Sequence, residues 1–280
     1  MTVFVARIRR DVVTLAGPDT VAFLQGQLSQ DVAALDVGDT ASSFLLQPTG
    51  KVDAWLRVDR AAPETVRLDV DPGSGAAVVA RLERFKLRTR TEITLDEAVP
   101  VLAVRGAEVI DGVPTMWPGP GSDVFDVADD FLPSDLPVGT LDYDDEGLYE
   151  GARIAAGVPR MGAEIDEGTI PAELGAWVVE ASVSFSKGCY TGQELVARID
   201  SRGGNVPRHL RVVEMDGLPP GVGAEVVVDG RVVGALTSEA IDAGGRSVGL
   251  ALVHRSVEPP APAEVGGVPA TVHAPPLAPD

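Results

Sequence analysis

The most informative stretch of the chain is a run of eight residues that precedes a predicted helix. It reads Lys187-Gly188-Cys189-Tyr190-Thr191-Gly192-Gln193-Glu194. Thr191 and Glu194 have the spacing of a capping box, which predicts that a helix begins at about Gly192. Cys189 would then lie just outside a helix N-terminus, where free N–H groups and the helix dipole favour an anion.

The sequence around Cys189 favours the thiolate over the thiol. Lys187 supplies a cation two residues before it, and Arg198 lies two turns into the helix. Gly188 and Gly192 carry no Cβ, so a second molecule could approach the sulfur closely. The alternative is a buried structural cysteine, because free cysteine is among the most buried residue types. No histidine lies nearby in sequence, which argues against a cysteine protease.

Composition restricts the classes of function. The 280 residues include 23 Lys and Arg against 42 Asp and Glu, a net charge of −19. Proteins that coat nucleic acids and proteins that dock on anionic lipid both bind through clustered cations, so this chain fits neither class. Direct nucleic-acid binding is therefore not expected. Cys189 is the single cysteine and the three histidines lie in the last quarter, so no disulfide and no resident metal site are expected.

Nothing in the sequence predicts a membrane protein or an exported one. Arg7, Arg9 and Arg10 interrupt the N-terminal apolar residues before a signal-peptide core can form. No apolar stretch reaches the ~18 residues that a transmembrane helix needs. The expected compartment is the cytoplasm, where a lone thiol stays reduced.

Hydrophobic periodicity predicts an α+β first part with an antiparallel sheet. The predicted strands are 12–16, 43–47, 52–59, 65–70, 92–95, 99–104 and 123–128. The predicted helices are one from about 19 with apolar residues through Leu35, one over 76–87, one capped by Asp144 and ending at Gly157, and one after Thr191. Residues 43–96 thus form a βββαβ unit, and residues 160–186 look mostly irregular.

The last quarter of the chain has a different pattern. It predicts short strands at 209–214, 225–228, 232–236, 247–253 and 270–273, with Asp229-Gly230 as a hairpin turn. This is typical of a small β-barrel or sandwich. We therefore expect two domains, 1–205 and 206–280.

Five basic residues lie on and just after the second predicted helix, 76–87. This basic run comprises Arg81, Arg84, Lys86, Arg88 and Arg90. The run is interpreted either as a solvated helix face or as a local cationic patch that holds an anionic tail, since a negative global charge does not forbid a local cationic site.

The eight-residue run resembles the signature of the YgfZ family, folate-binding relatives of the glycine-cleavage T-protein. Further segments resemble that family's first strand and helix, its hairpin, its R-x-x-x-G-x-P and I-P-x-E/Q segments and the downstream part of its signature. They are Leu15, Gly17 and Asp19 with Phe23-Leu24-Gln25-Gly26-Gln27; Gln47-Pro48-Thr49-Gly50-Lys51; Arg153, Gly157 and Pro159; Ile170-Pro171-Ala172-Glu173; and Ala197-Arg198 with Arg202-Gly203.

The resemblance implies a ring-like folate-binding module of the aminomethyltransferase type, with antiparallel sheets and helices, followed by a C-terminal small β-barrel. It implies an accessory role in assembling or repairing iron–sulfur enzymes, with indirect effects on tRNA modification. The implied ligand is tetrahydrofolate, and Cys189 would ligate a cluster transiently or exchange thiols. The implied partners are iron–sulfur assembly proteins or client enzymes.

A folate site needs an aromatic or apolar wall for the pterin ring, acceptors for its N–H groups and a cation for its glutamate tail. Tyr149 is the candidate stacking wall, and Glu173 and Asp53 are candidate pterin partners. Arg153 holds the tail or pairs with an acid on its own helix. Gln193 is a further candidate cofactor-binding residue.

One departure from the superfamily pattern bears on the reaction. Aminomethyltransferases usually carry Glu where this chain has Ala155, and alanine cannot accept a hydrogen bond from a pterin. This favours an accessory factor over the alternative, a folate-dependent aminomethyl or methyl transferase. A tRNA-modifying or RNA-binding protein is the third alternative, against which the net charge counts.

Overall fold

An eight-stranded, mostly antiparallel sheet forms the first part of the chain. The computed structural model describes residues 3–128, 130–143, 146–201 and 203–275. The strands of this sheet are β1 (Phe4–Ala16), β2 (Thr40–Leu46), β3 (Val52–Ala62), β4 (Thr65–Val70), β5 (Glu92–Arg105), β6 (Val113–Pro114), β7 (Gly121–Phe125) and β8 (Leu141–Tyr143). Their order is β2-β3-β4-β1-β5-β7-β6, with β8 parallel to β1.

The predicted strands at 92–95 and 99–104 are one continuous strand, β5. A register shift between Arg10 and Val12 of β1 lets the irregular residues around Ala98 (φ +51°) interrupt the ladder without ending it. Asp11 lies buried at this irregularity and accepts hydrogen bonds from the backbone N–H groups of Ala98, Gly73 and Gly75. Asp11 thereby also satisfies a free donor at the start of the next helix.

Two helices pack beside this sheet, α1 (Thr20–Gln27) and α2 (Gly75–Phe85). The predicted extension of α1 to Leu35 is wrong. Leu28 is extended and pairs with Leu45, and Val32–Ala34 form a 3₁₀ turn. Leu28 and Val32 are fully buried nevertheless, so their spacing reports burial and not helix.

Three further helices follow β8 in the chain and precede its last part: α3 (Glu146–Ala155), α4 (Ala176–Ser182) and α5 (Gln193–Asp200). A 3₁₀ helix (Pro171–Leu174) precedes α4. Residues 160–186 are mostly irregular, as expected, apart from these two short elements. The predicted cap Asp144 and the motif residue Arg202 lie outside the described residues.

A closed six-stranded barrel completes the fold, as expected. Its strands are β9 (Arg208–Met215), β10 (Glu225–Val228), β11 (Arg231–Ile241), β12 (Ser247–His254), β13 (Ala261–Val265) and β14 (Val268–His273). Their order is β10-β11-β12-β9-β14-β13. The Asp229-Gly230 turn has positive φ at both residues, as its hairpin requires. Strand β13 was not expected, because prolines precede and interrupt it.

The barrel packs closely against α3. A Cβ on Gly151 of α3 would lie 2.8 Å from Asp242 Cα and 2.8 Å from the carbonyl oxygen of Ile241. Ile154, on the same helix, is fully buried against a barrel cluster that includes Leu210 and Leu250. These contacts hold α3 in place over β1.

Candidate functional site

The segment of residues 187–194, the signature segment, is anchored to the end of α1. The ammonium of Lys187 donates to three carbonyl oxygens, those of Gln25 and Leu28 at 2.8 Å and of Gln30 at 2.7 Å. Burial lowers the pKa of Lys187 to about 8, with the charge of Asp31 acting in the opposite direction. The lysine thus acts as a brace between two stretches of chain.

The same segment packs against the hairpin turn between β2 and β3. A Cβ on Gly192 (φ +83°) would lie 2.6 Å from the carbonyl oxygen of Gln47 and 3.2 Å from Gly50 Cα. The absent Cβ of Gly192 therefore makes room for this chain's own hairpin, not for a second molecule as the sequence suggested. Gly188 has no atom within 4 Å of its would-be Cβ, so the open approach is on that side.

Helix α5 begins where predicted, but the capping box is absent. Gly192 is the N-cap residue and makes no side-chain cap hydrogen bond. Thr191 instead turns to α1, where its backbone N–H donates to the carbonyl oxygen of Gly26 at 3.1 Å. Gln193 Oε1 accepts from the N–H of Tyr190 at 3.1 Å. The predicted cofactor residue Gln193 thus holds the turn beside Cys189.

Cys189 is exposed, so the alternative of a buried structural cysteine is wrong. The Lys187 ammonium is held by the three carbonyls and lies 5.1 Å from the centre of the Tyr190 ring. Arg198, the other predicted cation, is exposed on α5. The ionisation of Cys189 and the contribution of these two cations to it remain predictions.

A central cavity of about 420 Å³ lies between the sheet and α3. Its walls come from β1, the ends of β4 and β5, the segment before β7, and α3 with the turn that follows it. The residues that matter for chemistry are aromatic or charged: Trp55, Trp117, Tyr149, Arg9, Arg10, Arg105, Arg153, Arg160, Asp69, Asp71, Asp123, Glu146 and Glu150.

Trp117 and Tyr149 form one wall of the central cavity. Their ring centres are 5.3 Å apart at 39°, and the edge of Trp117 also meets Phe4 of β1. Burial raises the pKa of Tyr149, so its phenol stays neutral at ordinary pH. The two rings give this part of the wall an aromatic surface of the kind on which a heterocycle stacks.

A buried network of ion pairs forms another, charged part of the cavity wall. Asp69 binds Arg10 at 3.0 Å and Arg57 at 2.7 Å. Asp123 binds Arg57 at 2.9 Å and Arg105 at 2.7 Å. Burial by itself would raise the pKa of Asp123, but the charges of Arg105 and Arg57 outweigh it and lower that pKa.

Both ends of this ion-pair network, at Arg10 and at Arg105, border the cavity. Arg10 also pairs with Asp71, whose second oxygen accepts the backbone N–H of Met161. Arg105 lies 4.7 Å over the Trp117 ring, and its Nε is buried with no hydrogen-bond partner among the described residues. Aromatic and charged surfaces therefore meet at Arg105 and Trp117.

The structure brings two of the predicted folate residues, Tyr149 and Arg153, to the central cavity. The sequence left open whether Arg153 holds the folate tail or pairs with an acid on its own helix. In the structure it pairs with Glu150 of that helix. It also pairs with Glu164 at 3.1 Å and donates to Ser238 Oγ at 2.8 Å. Its guanidinium is thus held by this chain's own acceptors.

The other two acidic candidates do not border the central cavity. Glu173 is buried and forms an ion pair with Arg208 at 3.0 Å, and its other oxygen accepts the N–H of Ile170. Asp53 pairs with Arg81 at 3.0 Å. The structure thus does not bring Glu173 and Asp53 to the central cavity, and their role as pterin partners remains a prediction.

Sequence reasoning missed most of the cavity, namely Trp117, Arg10, Arg105, Asp71 and Asp123. A usable signal was present, because charged residues interrupt otherwise apolar strands at Arg57, Asp69, Arg105 and Asp123. Buried charges of this kind need partners, which predicts that such strands are neighbours.

Arg84, Arg88 and Arg90 of the basic run are exposed, as expected of a solvated face, whereas Arg81 is largely buried. Arg81 pairs with Asp53, Lys86 with Glu83 at 2.7 Å, and Arg90 with Asp19 at 2.9 Å. Arg84 lies 5.8 Å over the ring of Phe85. Each of these four cations contacts a neighbouring side chain, and none of them borders the central cavity.

Comparison with known proteins gives relatives of two kinds. The tRNA-modifying protein YgfZ of Sodalis glossinidius is 28% identical over 69% of this chain and 66% of its own length. The iron–sulfur cluster assembly factor IBA57 homolog of Neurospora crassa is 27% identical over 69% of this chain and 49% of its own. An uncharacterized protein of Haemophilus influenzae is 28% identical over 73% and 71%.

The resemblance to the YgfZ family is confirmed. The chain spans about two thirds of the YgfZ proteins that it matches and about half of the fungal factor. No family model matches the sequence.

The fold is that of the aminomethyltransferases. The glycine cleavage system aminomethyltransferase T of Bartonella henselae superposes with a TM-score of 0.76 over 98% of this chain and 85% of its own, at 19% identity. At that identity the similarity shows the fold alone. Among the described helices, none has the length and apolar character needed to cross a bilayer.

Proposed function

We propose that this chain is a folate-binding accessory protein that supports the assembly or repair of iron–sulfur clusters, with indirect effects on tRNA modification. The observation that carries the proposal is the central cavity, where the Trp117–Tyr149 wall adjoins buried charges. The names of the YgfZ and IBA57 relatives supply the biological direction.

The residues of the central cavity fit a folate. A volume of about 420 Å³ lies within the ~300–1,000 Å³ of small-molecule sites. The pterin ring would stack on Tyr149 and Trp117. Its N–H and NH₂ groups need acceptors, and Asp71 and Glu150 are the half-buried carboxylates beside that wall.

The glutamate tail of a folate is anionic and would lie toward solvent. Arg9 is exposed at the rim of the cavity, and Arg160 has 41% of its side chain exposed while pairing with Glu150 at 3.1 Å. These two guanidinium groups are better placed to hold the tail than Arg153, whose donors are all engaged within the protein.

Cys189 would act at the surface on a partner. Lys187 and Gly192 fix the two sides of the segment that carries it, so the sulfur is exposed on a stretch held at both ends. An iron–sulfur cluster usually needs about four ligands, so one thiolate here supplies one ligand and the partner supplies the rest. Exchange of the thiol with a partner's sulfur is the other use of the same geometry.

The test is rescue of cluster-enzyme activity in a strain depleted of its YgfZ-type protein. Cys189→Ser should fold with an unchanged melting temperature and fail to restore activity. Ser186→Ala, an exposed change in the same segment, is the matched control and should restore it. Full rescue by Cys189→Ser would contradict the thiolate role. Folate-dependent methyl or aminomethyl transfer that survives Cys189→Ser would favour the transferase alternative.

A further inference from the structure

A second cavity, of about 400 Å³, lies where the start of β9 meets α4 and α5. Its walls are largely apolar, with Trp177 and Val179 from α4 and Val196 and Ile199 from α5. Phe185, which is 52% exposed, stands at its rim. None of these residues borders the central cavity.

Arg211, which makes no ion pair within the described part of the chain, borders this apolar space. Arg211 lies on the same face of β9 as Val213 and Met215, which belong to the barrel core, so its side chain stands at the end of that core. Its Nη1 donates to the carbonyl oxygen of Leu210 at 3.0 Å, and its Nε is buried with no partner among the described residues.

The charge of Arg211 is poorly compensated. Burial lowers its pKa, and the one acid that acts against this is Glu258, which is exposed. Glu180 and Asp200, the acids on the rim, are also exposed, and among the described residues no acid lies within ion-pair distance of Arg211. His209, beside it, has its pKa lowered by burial and then by Arg211, so it adds no second cation at neutral pH.

We propose that this second cavity binds a small amphipathic carboxylate, a molecule with one anionic group on an aromatic or branched aliphatic body. The body would fill the space between Trp177, Val179 and Ile199, and the carboxylate would meet Arg211. A half-buried guanidinium recognises a carboxylate through paired N–H donors. In a chain of net charge −19, an uncompensated cation inside an apolar cavity selects for such a ligand.

The inference is independent of the folate proposal and is tested with defined probes. The full chain is titrated calorimetrically with 2-naphthoate and with its neutral analogue 2-naphthamide. Tryptophan fluorescence is followed in parallel, since Trp177 lines this cavity. We expect naphthoate to bind at least about tenfold more tightly than the amide, because a hydrogen bond to a charged group contributes the difference.

Two variants locate the site. Arg211→Gln should weaken naphthoate about tenfold and leave naphthamide unchanged, whereas Arg231→Gln, an exposed arginine of the same barrel, should change neither. Ile199→Trp should block both probes by filling the cavity. The proposal would be overturned if the wild type bound the two probes with equal affinity, or if it did not bind naphthoate at millimolar concentration. Unweakened binding of naphthoate by Ile199→Trp would overturn it as well. The first two results need no variant to fold.

Discussion

Gly192 and Gly50 lie against each other: a Cβ on Gly192 would stand 3.2 Å from Gly50 Cα, and a Cβ on Gly50 would stand 3.0 Å from the carbonyl oxygen of Gly192. This contact joins the signature segment to the hairpin between β2 and β3. Both segments resemble motifs of the YgfZ family, and the two motifs are neighbours in space. Their glycines are there because two backbones meet, and the exposed Cys189 is carried on the outer side of that contact.

We expect Gly192→Ala to destabilise the protein by about 1–3 kcal/mol, because φ is +83° and the new Cβ would meet Gln47 and Leu46. Gly188→Ala is the matched control on the other side of Cys189, where nothing lies within 4 Å, and should change the free energy of unfolding by less than about 0.5 kcal/mol. Urea unfolding measures both. Equal losses in the two variants would refute the packing role given to Gly192.

The stability contributed by Lys187 should depend on pH. Burial lowers the pKa of Lys187 from 10.5 to about 8 in the folded protein. Between these two values the unfolded chain binds more protons at this position, so the free energy of unfolding should rise with pH there. This contribution is absent from Lys187→Met.

The measurement is the difference in urea midpoint between wild type and Lys187→Met at pH 7.5 and at pH 9.5. The urea midpoint of the wild type should rise relative to that of the variant between the lower and the higher pH. A difference that shrinks would mean that the protonated form is favoured by its three carbonyl partners and that the pKa lies above its ordinary value.

Asp123→Asn should destabilise the protein strongly, by about 3–5 kcal/mol, because it leaves Arg57 and Arg105 buried with fewer opposing charges. Glu83→Gln, which breaks the exposed pair with Lys86, is the control and should cost less than about 1 kcal/mol. Since the pKa of Asp123 is lowered in the folded protein, its contribution is present above about pH 4 and is lost as the pH falls through the folded value. Similar small effects of the two changes would argue against a buried network.

Ser238→Ala should loosen the join between the barrel and the cavity wall. Ser238 Oγ accepts from Arg153 at 2.8 Å and donates to Glu164 at 2.6 Å, and all three residues are buried. We expect a loss of about 1–3 kcal/mol in thermal or denaturant unfolding, because two charged groups each lose a partner. Ser201→Ala, exposed at the end of α5, should have almost no effect.

Local signals in the sequence located the parts that local rules control. Strand β4 and the Asp229-Gly230 turn lie where periodicity and turn residues placed them. Helix α5 starts at the expected place, although the capping box that predicted it is absent. The helix expected through Leu35 failed because apolar spacing satisfies burial in any conformation, and Leu28 is buried as an extended residue paired with Leu45.

The candidate site was predicted only in part, because it is made by contacts between distant strands. Tyr149 was named because its position resembles one in the YgfZ family, whereas Trp117 lies in a loop without periodicity. The partners of Glu173 and Asp53 are Arg208 and Arg81, and no local pattern links these pairs. Cys189 was found because its surroundings are consecutive in the chain.

The central claim is that the cavity beside Tyr149 binds folate, and calorimetric titration with tetrahydrofolate tests it most directly. We predict saturable binding by the wild type, a loss of about tenfold or more in affinity for Tyr149→Ala and Trp117→Leu, since stacking on one ring contributes ~1–3 kcal/mol, and unchanged affinity for Trp177→Phe. Folded Tyr149→Ala and Trp117→Leu proteins that bind tetrahydrofolate as tightly as the wild type, or a wild type that gives no binding heat, would contradict the claim.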